Sequence, residues 1–191
     1  MTEETLARRF EASRPRLHAI AVRMLGSTAE ADDAVQEAWL RASRAGTEGV
    51  DNVEGWLTTI VSRICLDLLR ARTRAAARAE AAAEVAEPAP SPEEDAALAD
   101  AIGPALLVVL DALSPAERLA FVLHDLFAVP FDEVAAILRR SPAAARQLAS
   151  RARRRVQGAD RDGDPERERP VVEAFLAAAR SGDFAALVEL L

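Results

Sequence analysis

The sequence predicts an all-α protein made of two small helical domains. Half of its 191 residues are hydrophobic, but only 4% are aromatic and tyrosine is absent, while alanine and leucine abound. Apolar residues recur at the three- and four-residue spacing of helices, and no segment alternates as a strand would. Several of these segments open with a serine that is followed by proline, or by glutamate three positions later, which are helix-start signals.

Composition and charge limit the functions open to the chain. Its net charge is −7, every basic residue is arginine, and the single cysteine, Cys65, excludes an internal disulfide, which fits a reducing cytoplasm. No signal-peptide pattern opens the sequence and no apolar run reaches the length of a membrane span, so we expect a cytoplasmic protein. Arginine collects in residues 70–78 and 139–155, and acid in 80–100 and 160–173. The negative total therefore does not argue against a nucleic-acid partner.

The first domain, residues 5–80, is predicted to contain three helices. They span about 5–25, 28–45 and 53–74. Pro15 lies inside the first helix and either bends it or divides it into two pieces. The second helix starts at a capping box, in which Ser27 accepts a bond from the backbone of Glu30 and the Glu30 side chain returns to the Ser27 backbone. The third helix ends in an arginine run, and its core residues are expected to be Trp56, Leu57, Ile60, Val61, Ile64, Leu68 and Leu69.

A linker and a second domain follow. Residues 81–95 consist almost entirely of alanine, glutamate and proline, which cannot form a core. The second domain, residues 96–158, begins with a helix that ends near Leu113. Another helix runs to about Phe127 from a capping box at Ser114–Glu117. A flexible acidic linker is therefore expected between two helical domains.

The second domain is organised around the segment 130–156. Its first half places Phe131, Val134, Ala135 and Leu138 on one apolar stripe at helical spacing. Ser141 and Pro142 then end that helix and begin another, because serine is a favoured N-cap and proline suits the first helical position. The second helix has a thin apolar back and a polar, cationic front. This pattern predicts a helix-turn-helix whose second helix enters the major groove of DNA.

The front of this recognition helix supplies the candidate DNA contacts. Arg146 and Gln147 suit guanine and adenine edges, and the later arginines suit phosphates. Residues 139–157 hold seven arginines and no acidic residue. A solvated basic helix that closes a bundle is the competing interpretation, but the paired stripes and the capped turn favour DNA binding. The candidate contacts are Ser141, Ala143, Ala144, Arg146, Gln147, Ser150, Arg151, Arg153 and Arg154.

No catalytic or metal-binding constellation is evident in the sequence. His18 and His124 fall on different predicted helices, with no cysteine or carboxylate at metal-ligand spacing, and no glycine loop suits a phosphate. Cys65 is predicted to be an inert buried thiol. We therefore expect no enzyme activity, no metal and no cofactor.

The C-terminal segment does not complete a domain. Residues 159–169 are predicted to form a second, charged linker. Residues 170–191 are predicted to form two short amphipathic helices whose apolar side chains have little to pack against. We therefore expect the start of a third domain that is cut short, with any ligand pocket of that domain absent.

Four segments, taken together and in order, resemble the extracytoplasmic-function (ECF) sigma factors of RNA polymerase. They are DDAVQEAWLR, GWLTTIVSRICLDLLRART, LSPAERLAFVLHDLFAVPFDEVAAIL and SPAAARQLASRARRRV. The segment RPVVEAFLAAARSGDFAALVELL resembles the first two helices of the SnoaL-like domain that one group of these factors carries. The resemblance implies a σ2 domain at 5–80 and a σ4 domain at 96–158, followed by the opening helices of an α+β domain.

The resemblance also implies roles for residues of the first domain. The exposed face of the second helix would bind the clamp helices of the polymerase β′ subunit, through Asp32, Asp33, Gln36, Glu37 and Arg41. The next loop and helix would bind the melted −10 strand, through Asn52, Trp56, Arg63, Arg70, Arg72 and Arg74. Such a role suits basic and aromatic residues, because single-stranded DNA is held by cationic grooves and stacking, although Trp56 also suits an ordinary core position. Leu148 stands where many family members have a basic residue, but it lies on the apolar back and is assigned no DNA contact.

The implied function is that of a factor that gives core RNA polymerase its promoter specificity and assists DNA melting. The expected partners are core polymerase, through its β′ clamp helices and β flap, and promoter DNA. An anti-sigma factor, or regulation by the chain's own C-terminal domain, is a further expectation. A stand-alone helix-turn-helix regulator is the main alternative, although it leaves the first domain unexplained. An enzyme or ligand-binding protein built on the C-terminal segment is a third class, which the shortness of that segment disfavours.

Overall fold

The computed structural model describes residues 3–82 and 109–157, and every regular element in these ranges is a helix. The six helices are α1 Glu3–Leu25, α2 Thr28–Ala45, α3 Val53–Ala82, α4 Pro115–Phe121, α5 Phe131–Leu138 and α6 Pro142–Val156. A π-helical segment, Val122–Leu126, continues α4. Outside the described residues lie the linker predicted at 81–95 (apart from residues 81–82), most of the helix predicted to end near Leu113, the linker 159–169 and the segment 170–191.

Helix α1 is one continuous helix, so of the two outcomes considered at Pro15 the division into two pieces does not occur. Pro15 is exposed, and its missing N–H costs a hydrogen bond on the solvent side only. On the opposite side Phe10, Leu17 and Ile20 are fully buried against the rest of the bundle. Packing of residues before and after Pro15 therefore stabilises α1 as one continuous helix.

Helix α2 begins at Ser27 as predicted, but only half of the expected capping box forms. The Ser27 hydroxyl accepts a bond from the Glu30 N–H at 3.4 Å. The Glu30 carboxylate pairs with Arg72 of α3 instead of returning to the Ser27 backbone. Arg72 also donates to the Leu25 carbonyl at 3.0 Å, so one guanidinium links α3 to the start of α2 and to the end of α1.

Helix α3 extends to Ala82, beyond its predicted end at about residue 74. The whole arginine run at 70–78 is therefore helical. Leu57, Val61 and Cys65 of this helix are fully buried. Leu68 is a correction to the predicted core, because it is 40% exposed. Its neighbour Leu69 faces the core instead, so the buried stripe turns away from Leu68 at this level of the helix.

The second bundle is held by the capping box at the start of α4, which forms in full. The Ser114 hydroxyl accepts from the Glu117 N–H, and the Glu117 carboxylate accepts from the Ser114 N–H at 3.1 Å and from its hydroxyl at 2.6 Å. Glu117 is only 4% exposed, and its carboxylate also binds Arg155 of α6 at 2.8 Å. The predicted cap thus anchors the recognition helix as well.

The helix-turn-helix forms as predicted, with α5 and α6 as its two helices. Arg139 ends α5 in the left-handed conformation at φ 55°, and Ser141 caps α6 by accepting from the Ala144 N–H at 3.2 Å. The helix before it differs from prediction, because α4 gives way to the π-helical segment in which the Phe127 N–H reaches the Val122 carbonyl. One extra residue per turn is accommodated there.

The two bundles pack against each other, which the sequence did not predict. Helix α3 contacts α4 and α5, and α1 contacts the π-helical segment. Three arginines cross the boundary and donate to backbone carbonyls: Arg16 to Phe127 at 2.9 Å, Arg118 to Arg23 at 3.2 Å, and Arg63 to Ala136 at 3.2 Å. Among the described residues no ion pair crosses this boundary.

The Glu117 network predicts a loss of stability at low pH. Burial would raise the pKa of Glu117, but hydrogen bonds from Ser114 and the charges of Arg155 and Arg151 outweigh it and hold the pKa below its ordinary value. A lowered folded pKa contributes stability above the unfolded glutamate pKa of about 4.3, and this contribution is lost as the pH falls through the folded pKa. We expect Glu117→Gln to lower the free energy of unfolding at pH 7 by about 1–3 kcal/mol, as for hydrogen bonds to charged groups.

Urea unfolding at pH 7 and between pH 5 and pH 3 measures this effect. The difference in the free energy of unfolding between wild type and Glu117→Gln should become smaller as the pH falls toward 3. Glu133→Gln, an exposed carboxylate on α5, is the matched control and should change little. A difference that is constant with pH would contradict the network.

Cys65 should be unreactive while the protein is folded. It is fully buried, and burial raises its pKa to about 12. The thiolate is the reactive form, so labelling at pH 8 should require unfolding. We expect labelling by a thiol reagent to follow the urea unfolding curve; rapid labelling of the native chain would show that the α3 core opens locally.

Candidate functional site

The recognition helix α6 has the two faces predicted for it. Ala145, Ala149 and Ala152 are fully buried. Of the predicted DNA contacts, Ala144 and Arg153 are half-buried, as is Leu148, and the others are exposed: Ser141, Ala143, Arg146, Gln147, Ser150, Arg151 and Arg154. Three small alanines let α6 lie close to the other helices, so most of the predicted DNA-contacting residues project from the domain surface.

The arginines of α6 divide into two sets. Arg153 pairs with Asp125 of the π-helical segment at 2.8 Å, and Arg155 pairs with Glu117. The Asp125 side chain is only 14% exposed, so the Arg153 pair joins α6 to the rest of its domain. Arg151 and Arg154 have no hydrogen bond or ion pair within the described part of the chain.

Arg146 has a different environment from the other arginines. Its guanidinium carbon lies over the Phe131 ring, 5.9 Å from the ring centroid. The Phe131 ring also stacks with the His124 ring, with the ring centroids 3.6 Å apart. No sequence pattern predicts this arrangement, because it joins three separate elements.

The predicted docking face on α2 is exposed. Asp32, Asp33, Gln36 and Arg41 are exposed, and Glu37 is half-buried. Asp32 lies 3.2 Å from His18 of α1, and Glu37 pairs with Arg41 at 2.8 Å. Asp33 and Gln36 make no such contact within the described residues.

A groove of about 250 Å³ lies between this face and α3. Its lining residues are Asp33, Ala34, Glu37, Arg41, Ile64, Asp67 and Leu68. Three carboxylates and one arginine surround an apolar floor, so the groove is negative at its rim. Sequence reasoning missed Asp67 and Leu68, because the helical pattern of α3 placed Leu68 in the core.

Among the candidates for single-stranded DNA binding, Asn52 caps a helix and Arg72 links three helices. The Asn52 side-chain oxygen accepts from the Gly55 N–H at 3.0 Å and so caps the start of α3. Arg72 is held by Glu30 and the Leu25 carbonyl. Trp56 is half-buried and packs against the core, which is the alternative that the sequence left open.

Arg63, Arg70 and Arg74, the remaining candidates, are exposed along α3. Arg63 bonds the Ala136 carbonyl of α5, Arg70 lies 3.7 Å from Asp67, and Arg74 bonds the Arg70 carbonyl at 3.2 Å. Arg63 and Arg70 share a cleft of about 170 Å³ with Arg139 of the other bundle. The packing of the bundles therefore places arginines from both of them around one cationic cleft.

Two further arginines lie at the boundary between the bundles and were not singled out from the sequence. Burial lowers the pKa of Arg23 and that of Arg118, and for Arg118 the adjacent Asp111 offsets part of this effect. Both guanidinium groups stay charged, because arginine is not deprotonated in proteins. Arg23 lies over the Phe127 ring at 5.3 Å, so its charge is placed on an aromatic face.

Both histidines interact with neighbouring groups of the protein. His124 bonds the Val129 carbonyl through Nδ1 at 3.0 Å, and His18 faces Asp32. Residues 3–82 and 109–157 contain no group of three histidine, cysteine, aspartate or glutamate side chains that could hold a metal ion. In the same ranges no helix is long and apolar enough to cross a membrane.

Comparison with known families matches both bundles. The family model described as Sigma-70 region 2 matches residues 9–75, and the model described as Sigma-70, region 4 matches residues 104–156. The ECF RNA polymerase sigma factor SigJ of Mycobacterium tuberculosis H37Rv is 46% identical over 95% of this chain and 61% of its own length. The probable ECF sigma factor SigI of M. tuberculosis CDC 1551 is 35% identical over 95% of this chain and 65% of its length.

Solved structures agree with these matches. The crystal structure of M. tuberculosis SigJ covers 96% of this chain and 62% of the SigJ chain, with a TM-score of 0.56 and 40% identity. RpoE of Bartonella quintana, solved in complex with the anti-sigma factor NepR, has a TM-score of 0.59 over 84% of this chain and 99% of its own. Its 23% identity makes it evidence for the fold alone.

The chain spans about three fifths of the length of the curated relatives that it matches. Regions 2 and 4 are nevertheless matched in order, and together they occupy more than half of the chain. The helix-turn-helix lies within the region 4 match, and the exposed α2 face lies within the region 2 match. The chain therefore belongs to the ECF RNA polymerase sigma factors.

Proposed function

We propose that this chain binds core RNA polymerase and directs it to promoters, where it recognises the promoter and assists DNA melting. The observation that carries the proposal is the presence, in one chain, of a cationic helix-turn-helix and a second bundle with an exposed, net negative polar face. The helix-turn-helix suits recognition of duplex DNA, and the polar face of the other bundle suits docking on a protein. In this role the protein is not itself an enzyme; polymerase supplies the chemistry.

The proposed duplex contacts lie on α6. Arg146 and Gln147 would read base edges at the −35 element, while Arg151 and Arg154 would hold phosphates. Ser141, Ala143, Ala144 and Ser150 would lie along the same surface, with the small residues allowing close approach. Arg153 contributes less directly, because its pair with Asp125 occupies part of its guanidinium.

The proposed single-strand contacts lie on α3. Arg63, Arg70 and Arg74 are exposed and would follow the backbone of the melted −10 strand, with Trp56 offering a partly exposed ring. Asn52 would contact a base at the expense of its cap on Gly55, and Arg72 would act through helix placement. Because Arg63 donates to the Ala136 carbonyl, binding of DNA by Arg63 would replace this hydrogen bond between the bundles.

The proposed polymerase contact is the α2 face, through Asp32, Asp33, Gln36, Glu37 and Arg41, which would meet the β′ clamp helices. Its net negative charge suits a basic partner surface. The β flap is the proposed partner of the second bundle. The Bartonella fold neighbour was solved with an anti-sigma factor, and a partner of that class is proposed here too.

We further propose the division of the chain given by the sequence. The parts are a region 2 domain at 5–80, a linker at 81–95, a region 4 domain at 96–158, a linker at 159–169 and the first two helices of a SnoaL-like domain at 170–191. The last part would supply intramolecular regulation. A stand-alone DNA-binding regulator is less favoured, because it gives no role to the acidic α2 face; absence of core polymerase from material purified through this chain would support that alternative.

A test of duplex reading compares Arg146→Ala and Gln147→Ala with Arg154→Ala. Loss of a base contact should cost about 1–3 kcal/mol and relax preference at one base pair, whereas loss of a phosphate contact should weaken binding on all sequences and reduce the salt dependence. Binding is measured by fluorescence anisotropy on duplexes that the wild-type chain selects from a random pool, and on scrambled duplexes. Equal losses on both for Arg146→Ala would remove the base-reading role.

A test of docking reverses two charges on α2. Asp33→Arg with Glu37→Arg should leave the melting temperature nearly unchanged, because exposed substitutions usually shift stability little. Capture of core RNA polymerase should fall strongly. The control, Glu4→Arg with Glu11→Arg on exposed positions of α1, reverses the same charge and should retain capture; undiminished capture by a folded α2 variant would contradict the docking face.

A further inference from the structure

A three-layer stack joins the recognition helix to the two elements that precede it. The His124 ring, from the π-helical segment, stacks on the Phe131 ring with centroids 3.6 Å apart and planes inclined by 26°. The Arg146 guanidinium carbon lies over the same ring at 5.9 Å. A stacked ring at van der Waals distance fills one face of Phe131, so the guanidinium lies over the other face.

The lower layer of the stack is fixed by the backbone. The Val129 carbonyl can only accept, so His124 Nδ1 carries the proton and donates to it at 3.0 Å. His124 lies within Val122–Leu126, where the π-helical turn adds a residue and changes the direction in which the side chain projects. Phe131, the first residue of α5, is half-buried and packs partly against the core.

The upper layer leaves the arginine free to bind. Arg146 is exposed and makes no hydrogen bond or ion pair with the described residues, unlike Arg153 and Arg155 of the same helix. A guanidinium that rests on an aromatic face still offers its N–H groups along its edge, in the fork geometry that matches the O6 and N7 atoms of guanine. Stacking already restricts the rotamers of the arginine before DNA binds. Less side-chain entropy is then lost on binding.

We propose that Phe131 is a positioning residue for base reading: it holds the Arg146 guanidinium over its ring, with His124 as support, in an orientation ready for a purine edge. This inference rests on the proposed reading of duplex DNA by Arg146. It adds a residue that itself touches no base to the determinants of sequence preference. The aromatic platform acts before DNA binds, by restricting the arginine.

The test measures base-pair preference of the full chain on the selected duplex and on single-base-pair variants of it. Phe131→Leu keeps an apolar residue of similar size and removes the ring face. It should reduce preference at the base pair read by Arg146 by about two- to fivefold, the scale of an exposed cation–π contact. Phe131→Tyr should behave as wild type, and Phe131→Met is the second variant should Phe131→Leu unfold.

A double-mutant cycle separates positioning from a general structural effect. Phe131→Leu should add nothing to the loss caused by Arg146→Ala, because both remove one interaction. Phe127→Leu is the matched control: this ring in the same bundle also carries arginines, Arg16 and Arg23, but they come from the other bundle. The base-pair preference of Phe127→Leu should equal that of the wild type.

Nuclear magnetic resonance supplies a readout without DNA. The Arg146 Hε resonance should be shifted upfield by the ring current, relative to Arg151 and Arg154, and Phe131→Leu should abolish the shift. An unshifted Arg146 in the wild type, or additive losses in the cycle, would overturn the proposal. If Arg146→Ala relaxes preference and Phe131→Leu does not, positioning alone fails; if Arg146→Ala has no effect on preference, base reading and positioning fail together.

Discussion

The arrangement of this molecule depends on arginines that donate to backbone carbonyls across the boundary between its two bundles. Carbonyls at the end of a helix lack a partner within the helix, and the negative end of the helix dipole favours a cation there. Arg118 bonds the Arg23 carbonyl in the last turn of α1, and Arg63 bonds the Ala136 carbonyl in the last turn of α5. Within the described residues, the Ala136 carbonyl otherwise accepts only a 3.3 Å bond from the Arg139 N–H. Each bundle therefore completes helix ends of the other, and this exchange sets how regions 2 and 4 lie relative to each other.

The same interface also contains features that destabilise it. Arg23 and Arg118 are buried enough for their pKa values to fall, and one nitrogen of each guanidinium is buried without a hydrogen-bond partner among the described residues. Desolvation of a cation without full compensation is costly. If Arg63 binds the melted strand as proposed, DNA would compete with the Ala136 carbonyl of the other bundle for this side chain.

Function is therefore divided among side chains of one chemical type. Arg72, Arg118, Arg153 and Arg155 hold helices together through carboxylates and carbonyls. Arg70, Arg151 and Arg154 remain exposed and suit phosphates, while Arg146 rests on an aromatic ring. A guanidinium serves all of these purposes because it is always charged and carries five donors in a fixed plane, so its neighbours decide its role.

The sequence by itself determined the helical class, the starts of α2, α4 and α6, the break at Ser141 and the small-residue back of the recognition helix. These follow from local physics: periodicity, capping and the fixed φ of proline act within a few residues. Tertiary structure alone decided the pairing of Glu30 with Arg72, the exposure of Leu68, the π-helical turn, the stack on Phe131 and the packing of the two bundles. Each of these depends on a partner far along the chain, and a pattern that shows an arginine on the correct face cannot show which distant carbonyl, carboxylate or ring that arginine will meet.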